Sequence, residues 1–241
     1  MTARTTVVLV HGAFLDASSW WPIVLRLLGA GHPVLAPPLV GRSFAGDCDY
    51  IRTFVERIDG KVLLVGHGYG AAVITVAGDA ANVCGLLFIA GYALERGESI
   101  GEMRDAFAPA DVSLHLVPAM FHDDHGLPGT EVTVAVDEFP RLLAEGLPAD
   151  EASVLAVSQR PISVSALTER ARGEAWRGKP SWGVVSMEDR TIDPDLQRFG
   201  YRRAHCRDVV ALAAPHLVTQ THAAAIVGFI ESILREVATD D

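Results

Sequence analysis

The chain of 241 residues is long enough to bury one sizeable core, and this length fits a single domain better than two. Hydrophobic residues make up 49% and charged residues 21% of the chain, a balance that is too apolar for a disordered protein. The net charge of -10 and the lack of a run of Lys and Arg argue against a nucleic-acid partner.

The N-terminal residues and the cysteines predict a cytoplasmic protein. Residues 1–10 contain only the short apolar run VVLV, which is too short for a signal-peptide core or a membrane span, so we expect neither export nor a membrane partner. The three cysteines are an odd number without metal-ligand spacing. They argue against a disulfide framework and favour a reducing compartment.

Short apolar runs alternate with helical stretches in the first part of the chain. Strands are predicted at residues 5–10, 33–36, 61–65 and 83–90, and helices at residues 17–28, 49–58 and 71–77. This alternation predicts a mostly parallel central sheet with right-handed crossovers and with helices on both faces. The fold class is therefore α/β.

The alternation stops after Tyr92 and returns near residue 176. Between them, residues 137–145 and 150–159 are helix-like and buried-strand runs are weak, which predicts a helical cap at residues 95–175. Strands are expected again at 181–185 and 208–212, and helices at 194–203 and 223–237. Residues 1–94 and 176–241 would then form the core that carries this cap.

A glycine-rich turn lies between the strand at 61–65 and the following helix. It reads Gly66-His67-Gly68-Tyr69-Gly70, which has the form G-x-S-x-G with its central residue changed. The outer glycines suit a sharp turn where strand and helix pack closely. Such a turn is weak evidence for a hydrolase on its own, because glycine-rich turns also bind phosphates in dinucleotide folds.

Three further landmarks favour the hydrolase interpretation of this turn. His11 and Gly12 end the first strand, where the next loop donates one oxyanion-hole N–H, and the expected donors are the amides of Phe14 and Tyr69. An acid pair, Glu188 and Asp189, follows the strand at 181–185. His216 follows the strand at 208–212, so that the order is nucleophile, acid, histidine.

Four segments carry a resemblance to a known family. They are VVLVHGAFLDASSW at 7–20, LLVGHGYGAAVI at 63–74, EDRTIDPDLQR at 188–198 and PHLVTQTH at 215–222. Over nearly its whole length the chain resembles the branch of the α/β-hydrolase fold that contains plant hydroxynitrile lyases, plant methyl esterases and small bacterial esterase-like proteins. The resemblance implies that Asp189 is the triad acid, that His216 is the triad histidine, and that Gly68 stands where the family has serine.

Glycine at the elbow changes the chemistry that is expected. A side chain in this strained turn costs about 1 to 3 kcal/mol, which glycine avoids, but glycine has no Oγ to attack a carbonyl carbon. A histidine oriented by an aspartate still serves as a general base. We therefore expect His216 and Asp189 to catalyse hydrolysis, elimination, cyclisation or isomerisation of a small apolar or aromatic carbonyl compound, without a cofactor.

The pocket lining is predicted less directly. His11, Trp20 and Met120 are the substrate-binding candidates, although His11 also fits a residue that lines the turn and Trp20 fits the core. The segment His122-Asp123-Asp124-His125 contains metal-ligand types, but no third cluster accompanies it, so we expect a solvated loop and no metal. The sequence leaves a homodimer open.

Two other functions compete with this hypothesis. The natural protein could be a serine esterase or lyase of which this chain is an inactivated variant at Gly68. Alternatively, the chain could be a small-molecule receptor that performs no chemistry. A receptor has no need of an intact histidine and aspartate pair, and the sequence retains both residues.

Overall fold

Within residues 4–123 and 125–239, which the computed structural model describes, six parallel strands form the central sheet. In chain order the strands are β1 (Thr6–Val10), β2 (Val34–Leu35), β3 (Val62–His67), β4 (Val83–Ile89), β5 (Leu116–His122), β6 (Pro128–Val134), β7 (Ile162–Ser163), β8 (Ser181–Ser186) and β9 (Val209–Leu212). The central sheet has the order β2-β1-β3-β4-β8-β9. The chain adds β2 on one side of β1 and then crosses back to add β3 on the other side, so β1 and β3 are neighbours in the sheet.

Helices connect these strands and cover the sheet. They are α1 (Trp21–Gly29), α2 (Phe44–Glu56), α3 (Tyr69–Ala77), α4 (Ile100–Asp105), α5 (Phe139–Leu142), α6 (Ala149–Val157), α7 (Val164–Thr168), α8 (Pro194–Arg203), α9 (Val218–Thr221) and α10 (Ala223–Thr239). Short 3-10 helices are also present at Ala17–Trp20, Asp111–His115 and Ala175–Arg177. Among the described residues, no helix combines the length and the apolar character that a membrane crossing requires.

The sheet separates two apolar cores because alternate residues of a strand point to opposite faces. Val8 and Val10 of β1 pack in the core beneath α2, α3 and α8. Val7 and Leu9 pack in the other core, beneath α1 and α10. All four side chains are fully buried, as expected for central parallel strands covered on both faces.

The segment between β4 and β8 differs from the helical cap that the sequence predicts for residues 95–175. It contains short helices, but β5, β6 and β7 also form an antiparallel sheet there. The two longer strands were missed because Pro118 interrupts the apolar run of β5, and because alternating buried residues occur only at the end of β6, at Val132 and Val134. Proline has no N–H to donate to a neighbouring strand, and Pro118 is tolerated because β5 is an edge strand of this sheet. The role of this segment as a lid stays a prediction.

The proposed solvated loop at residues 122–125 lies at the turn of the β5–β6 hairpin. Asp124 lies outside the described residues. Asp123 Oδ1 accepts hydrogen bonds from the amides of His125 and Leu127, which is a turn-forming arrangement. Among the residues on either side of position 124 that the structure describes, no group of three His, Cys, Asp or Glu residues could hold a metal ion.

Candidate active site

The loops that follow β1, β3, β8 and β9 meet at the carboxyl edge of the sheet. Open parallel sheets gather their working groups at this edge, because all the strands end there. Gly68 follows β3, Asp189 follows β8 and His216 follows β9. The fold thus brings together residues that are far apart in the sequence.

The turn at Gly68 has a backbone conformation that disfavours side chains. Gly68 has φ +54° and ψ -114°, and φ values in this left-handed region strain residues with a Cβ. Next to it, a Cβ on Gly70 would lie 2.6 Å from the carbonyl oxygen of His11, so only glycine permits this close approach of α3 to β1. Tyr69 is the first residue of α3, so its N–H has no intrahelical acceptor.

His216 and Asp189 form a buried hydrogen-bonded pair. The Nδ1 atom of His216 lies 2.8 Å from Oδ2 of Asp189. Since a carboxylate only accepts hydrogen bonds, Nδ1 carries the proton, and Nε2 is then the basic nitrogen. A Cβ placed on Gly68 would be 3.2 Å from Nε2, so the basic nitrogen faces the elbow. Glu188, the alternative acid in the sequence, is exposed.

Three donors besides His216 hold the carboxylate of Asp189 in place. The amides of Thr191 and Ile192 donate to Oδ1 at 2.7 and 2.9 Å. The side-chain amide of Gln197 donates to Oδ2 at 2.9 Å, and its own oxygen accepts from the amide of Ser186. Sequence reasoning missed Gln197. Its position on the first turns of the helix after the acid strand was the available signal.

His67 supports the backbone beneath His216. Its Nε2 donates to the carbonyl oxygen of His216 at 2.8 Å, and the ring centroids of the two histidines are 4.6 Å apart. Burial lowers the pKa of His67 well below its ordinary value, and the neighbouring His216 lowers it further. A neutral His67 is therefore part of the packed floor of the site and not a second base.

A small apolar cavity adjoins His216, and we call it the inner pocket. Its volume is about 40 Å³, and Phe14, Tyr69 and His216 line it together with Tyr92 and Arg104. Further apolar lining comes from the segment between β4 and β8, through Ile100, Val112, Leu116 and Leu167. Phe14 has φ +64°, a strained conformation that sets the direction of the loop after β1.

A larger surface cavity of about 420 Å³, the outer pocket, lies next to the inner one. The two share Arg104, Thr191 and Ile192 in their linings. Sequence reasoning did not single out these three residues. Thr191 and Ile192 lie just beyond Arg190 in the loop that carries Asp189, but Arg104 lies on α4, in a segment whose pattern gives no sign of a pocket.

The three substrate-binding candidates from the sequence lie away from the inner pocket. Met120 is on the exposed edge strand β5, with 66% of its surface accessible, because that strand packs little of its surface. Trp20 is buried beside His67, with ring centroids 6.2 Å apart. His11 is also buried, and its Nε2 accepts a hydrogen bond from the amide of Leu39 at 2.8 Å. Their assignment to the pocket is therefore corrected.

Tyr69 is fixed at its far end by Asp47. The phenol donates a hydrogen bond of 2.8 Å to Oδ2 of Asp47, and the amides of Val40 and Gly41 donate to the same carboxylate. Burial raises the pKa of Asp47, and the hydrogen bond from Tyr69 acts in the opposite direction. This buried network, which was not predicted, anchors the residue that follows Gly68.

The buried histidines predict a loss of stability in mild acid. Burial lowers the pKa of His67 and His11 in the folded protein, whereas the unfolded chain takes up protons near the ordinary value of 6.5. The unfolded state then binds more protons, so stability falls as the pH drops through this range. We expect the free energy of unfolding to decrease by about 1 kcal/mol for His67 alone between about pH 7.5 and about pH 5.5.

Urea denaturation at the two pH values measures this effect. The matched variant is His67→Gln, which keeps a donor for the carbonyl of His216 but cannot titrate, and its loss should be smaller. The effect of Asp47 on stability has the opposite sign. Because its pKa is raised in the folded protein, the folded state binds more protons than the unfolded chain and gains stability as the pH falls toward the ordinary value of 3.8. Equal pH dependence of the two proteins would contradict the prediction.

Comparison with known families and curated proteins gives two sequence matches. A sequence model described as the alpha/beta hydrolase family matches residues 7–229. A "Carbendazim hydrolyzing esterase" from Nocardioides sp. (strain SG-4G) is 29% identical over 124 residues, which cover 46% of this chain and 51% of that protein. The match thus spans about half the length of this curated relative.

Solved structures resemble the chain over nearly its full length. Polyneuridine aldehyde esterase superposes with a TM-score of 0.83 at 16% identity, covering 96% of this chain and 99% of that one. Tomato Methylketone Synthase I, solved with 2-tridecanone, has a TM-score of 0.82 at 15% identity, with coverages of 98% and 99%. At these identities the likeness establishes the fold.

Proposed function

The chain belongs to the alpha/beta hydrolase family, and from this membership we propose that it is an esterase-like enzyme that works without a serine nucleophile. In this proposal His216 is the general base, Asp189 orients it, and the amides of Phe14 and Tyr69 stabilise an oxyanion. The substrate is a small, largely apolar carbonyl compound. The segment between β4 and β8 serves as the lid over the pocket.

One observation carries the proposal. The basic nitrogen of His216 faces the elbow at Gly68, where a Cβ would lie 3.2 Å from it, while Nδ1 is held 2.8 Å from Asp189. The space that a serine hydroxymethyl group would fill is therefore beside a positioned base. A water molecule or a substrate C–H group can occupy such a space.

The same residues serve two kinds of step. With water, Nε2 takes a proton, the hydroxide adds to the carbonyl carbon, and the amides of Phe14 and Tyr69 donate hydrogen bonds to the oxyanion. Collapse of that adduct expels the leaving group, which takes the proton back from the imidazolium. With a carbon acid, Nε2 takes a proton from the carbon next to the carbonyl group, and the amides donate hydrogen bonds to the enolate oxygen. The imidazolium then returns the proton to a group that leaves from the neighbouring carbon, in an elimination, or to another atom of the enolate, in an isomerisation.

The pocket supports an apolar substrate. Its lining is mostly aliphatic and aromatic, and a volume of about 40 Å³ admits only a small reacting group. The rest of a ligand would extend toward the outer pocket, which shares three lining residues with the inner one. The proposed substrate thus places its carbonyl group in the inner pocket and the rest of the molecule toward the outer pocket.

A second candidate function is a serine esterase inactivated at position 68. The observation that favours it is the elbow itself, whose φ of +54° is a conformation of the kind that strains a nucleophile in this turn. The esterase relative noted above is consistent with it. The Gly68→Ser variant separates the two candidates.

Serine reagents test the proposal directly. We expect phenylmethylsulfonyl fluoride to leave both the mass of the protein and its turnover of small ketones and esters unchanged, because position 68 offers no Oγ to displace fluoride. Intact-mass spectrometry and a product assay measure the two results. The Gly68→Ser variant is the control that should gain one sulfonyl group. Sulfonylation of the wild-type protein, with loss of turnover, would contradict the proposal.

A further inference from the structure

Arg104 lies at the junction of the inner and outer pockets. It is in the last turn of α4, a helix that begins with a capping box between Ser99 and Glu102. Arg104 lines both cavities, and its side chain is partly buried. Among the described residues that line the inner pocket, Arg104 is the one with a permanently charged cationic side chain, and His216 contributes an imidazole.

Among the described residues, Ser113 is the hydrogen-bond partner of the Arg104 guanidinium group. One nitrogen donates to Oγ of Ser113, which fixes the direction of the group. Among the described residues, no carboxylate lies within 4.0 Å of its nitrogens. A guanidinium has five N–H donors, so donors remain for a ligand.

The charge of Arg104 acts on the interior of the pocket. Burial raises the pKa of Tyr92, which lines the inner pocket. The positive charge of Arg104 acts on that phenol in the opposite direction and is a larger influence than the carboxylate of Asp189, which adds to the rise. The outer pocket holds two carboxylates, Asp105 and Asp193, and the inner pocket has none among its described lining residues. A ligand anion is therefore favoured on the inner side of the junction.

We propose that the substrate is a carbonyl compound that also carries a carboxylate, with the carboxylate on Arg104 and the carbonyl oxygen at the amides of Phe14 and Tyr69. This inference rests on the proposed function, because it uses the same pocket. It adds to that function the chemical class of the substrate, an oxo acid. A planar guanidinium can bind both oxygens of a carboxylate, which fixes the orientation of the ligand.

A carboxylate suits the pocket better than a phosphate group does. A phosphate dianion needs several charged donors, and Arg104 is one cation in a lining that is otherwise apolar or aromatic apart from Thr191 and His216. The cavity of about 40 Å³ also favours the smaller group. The aliphatic lining accommodates the carbons that join the two functional groups.

Oxo acids and their neutral amides test the inference. The probes are 4-oxopentanoate, 5-oxohexanoate and 6-oxoheptanoate, each paired with its carboxamide, which has nearly the same shape without the charge. Calorimetric titration should show that at least one acid binds the wild-type protein about tenfold or more tightly than its amide. In Arg104→Met the preference should disappear, and in Arg104→Lys part of it should remain, because lysine keeps the charge but loses the planar fork.

The control is Arg52→Met, at an exposed arginine on α2 that pairs with Asp49 and should leave the preference unchanged. Equal binding of every acid and its amide, no binding of any acid, or an unchanged preference in Arg104→Met would each overturn the inference. The preference should survive His216→Ala, since binding needs no proton transfer. Full turnover in His216→Ala would therefore count against the proposed function alone.

Discussion

Replacing His216 with alanine should lower turnover by about 10²- to 10⁴-fold, the usual contribution of a positioned general base. In the wild-type protein Nδ1 is tied to Asp189, so Nε2 is left as the proton acceptor beside the elbow. The variant removes that acceptor and leaves the amides of Phe14 and Tyr69 in place. A steady-state assay on the substrate that the wild-type protein turns over measures the loss in kcat.

The substitution is well suited to separate catalysis from folding. The hydrogen bond from His67 ends on the backbone carbonyl of residue 216, so alanine retains it. His222→Ala is the matched control, because His222 is only partly buried and its ring contacts the hydroxyl of Thr221. It should keep full turnover. Wild-type turnover in His216→Ala, with the control also active, would end the general-base hypothesis.

Most of the central sheet could be predicted because its strands are buried on both faces. Continuous apolar runs such as those of β1 and β3 are typical of parallel strands, and the predicted bounds differ from the observed ones by a few residues. The helix at Pro194–Arg203 has the bounds that were expected, since Pro194 marks its first turn. By contrast, the apolar run of β5 contains Pro118, which is unusual inside a strand, and β6 alternates buried and half-buried residues only over its last part.

The parts of the site that could be predicted are those with a fixed place in the chain order. Gly68, Asp189 and His216 each follow a strand that the sequence identifies, and the structure brings the last two within hydrogen-bonding distance. Their chemical roles stay predictions. Arg104 could not be found in this way, because its position depends on how the segment between β4 and β8 folds back over the sheet.

Two of the misplaced pocket residues, Trp20 and His11, lie close to Phe14 in the sequence, but their side chains are buried in the protein interior. Phe14, which has a positive φ, is the residue of this region that lines the inner pocket. Trp20 packs against His67, below the site, and His11 donates from Nδ1 to the carbonyl of Gly12. Sequence proximity to a functional loop therefore does not determine which side chain reaches the cavity.

Placing serine at position 68 should create ester hydrolysis through an acyl-enzyme at a cost in stability. The φ of +54° strains any residue with a side chain, so we expect Gly68→Ser to unfold with a free energy lower by about 1 to 3 kcal/mol. The new Cβ would lie 3.2 Å from Nε2 of His216, a tight contact that moves the ring by a few tenths of an ångström. It also places Oγ next to the base that would deprotonate it.

Gly68→Ala is the matched control for this gain, because it adds the same Cβ and the same strain without a hydroxyl group. We expect Gly68→Ser to hydrolyse p-nitrophenyl acetate about 10²-fold or more faster than Gly68→Ala, with a burst from an acyl-enzyme. Equal rates in the two variants would show that the elbow, base and oxyanion amides are not aligned for attack. Gly68→Ser could gain esterase activity and also lose the turnover of the wild-type protein. In that case the added side chain occupies the space that the natural substrate or water needs. That result favours the serine-free enzyme over the inactivated esterase.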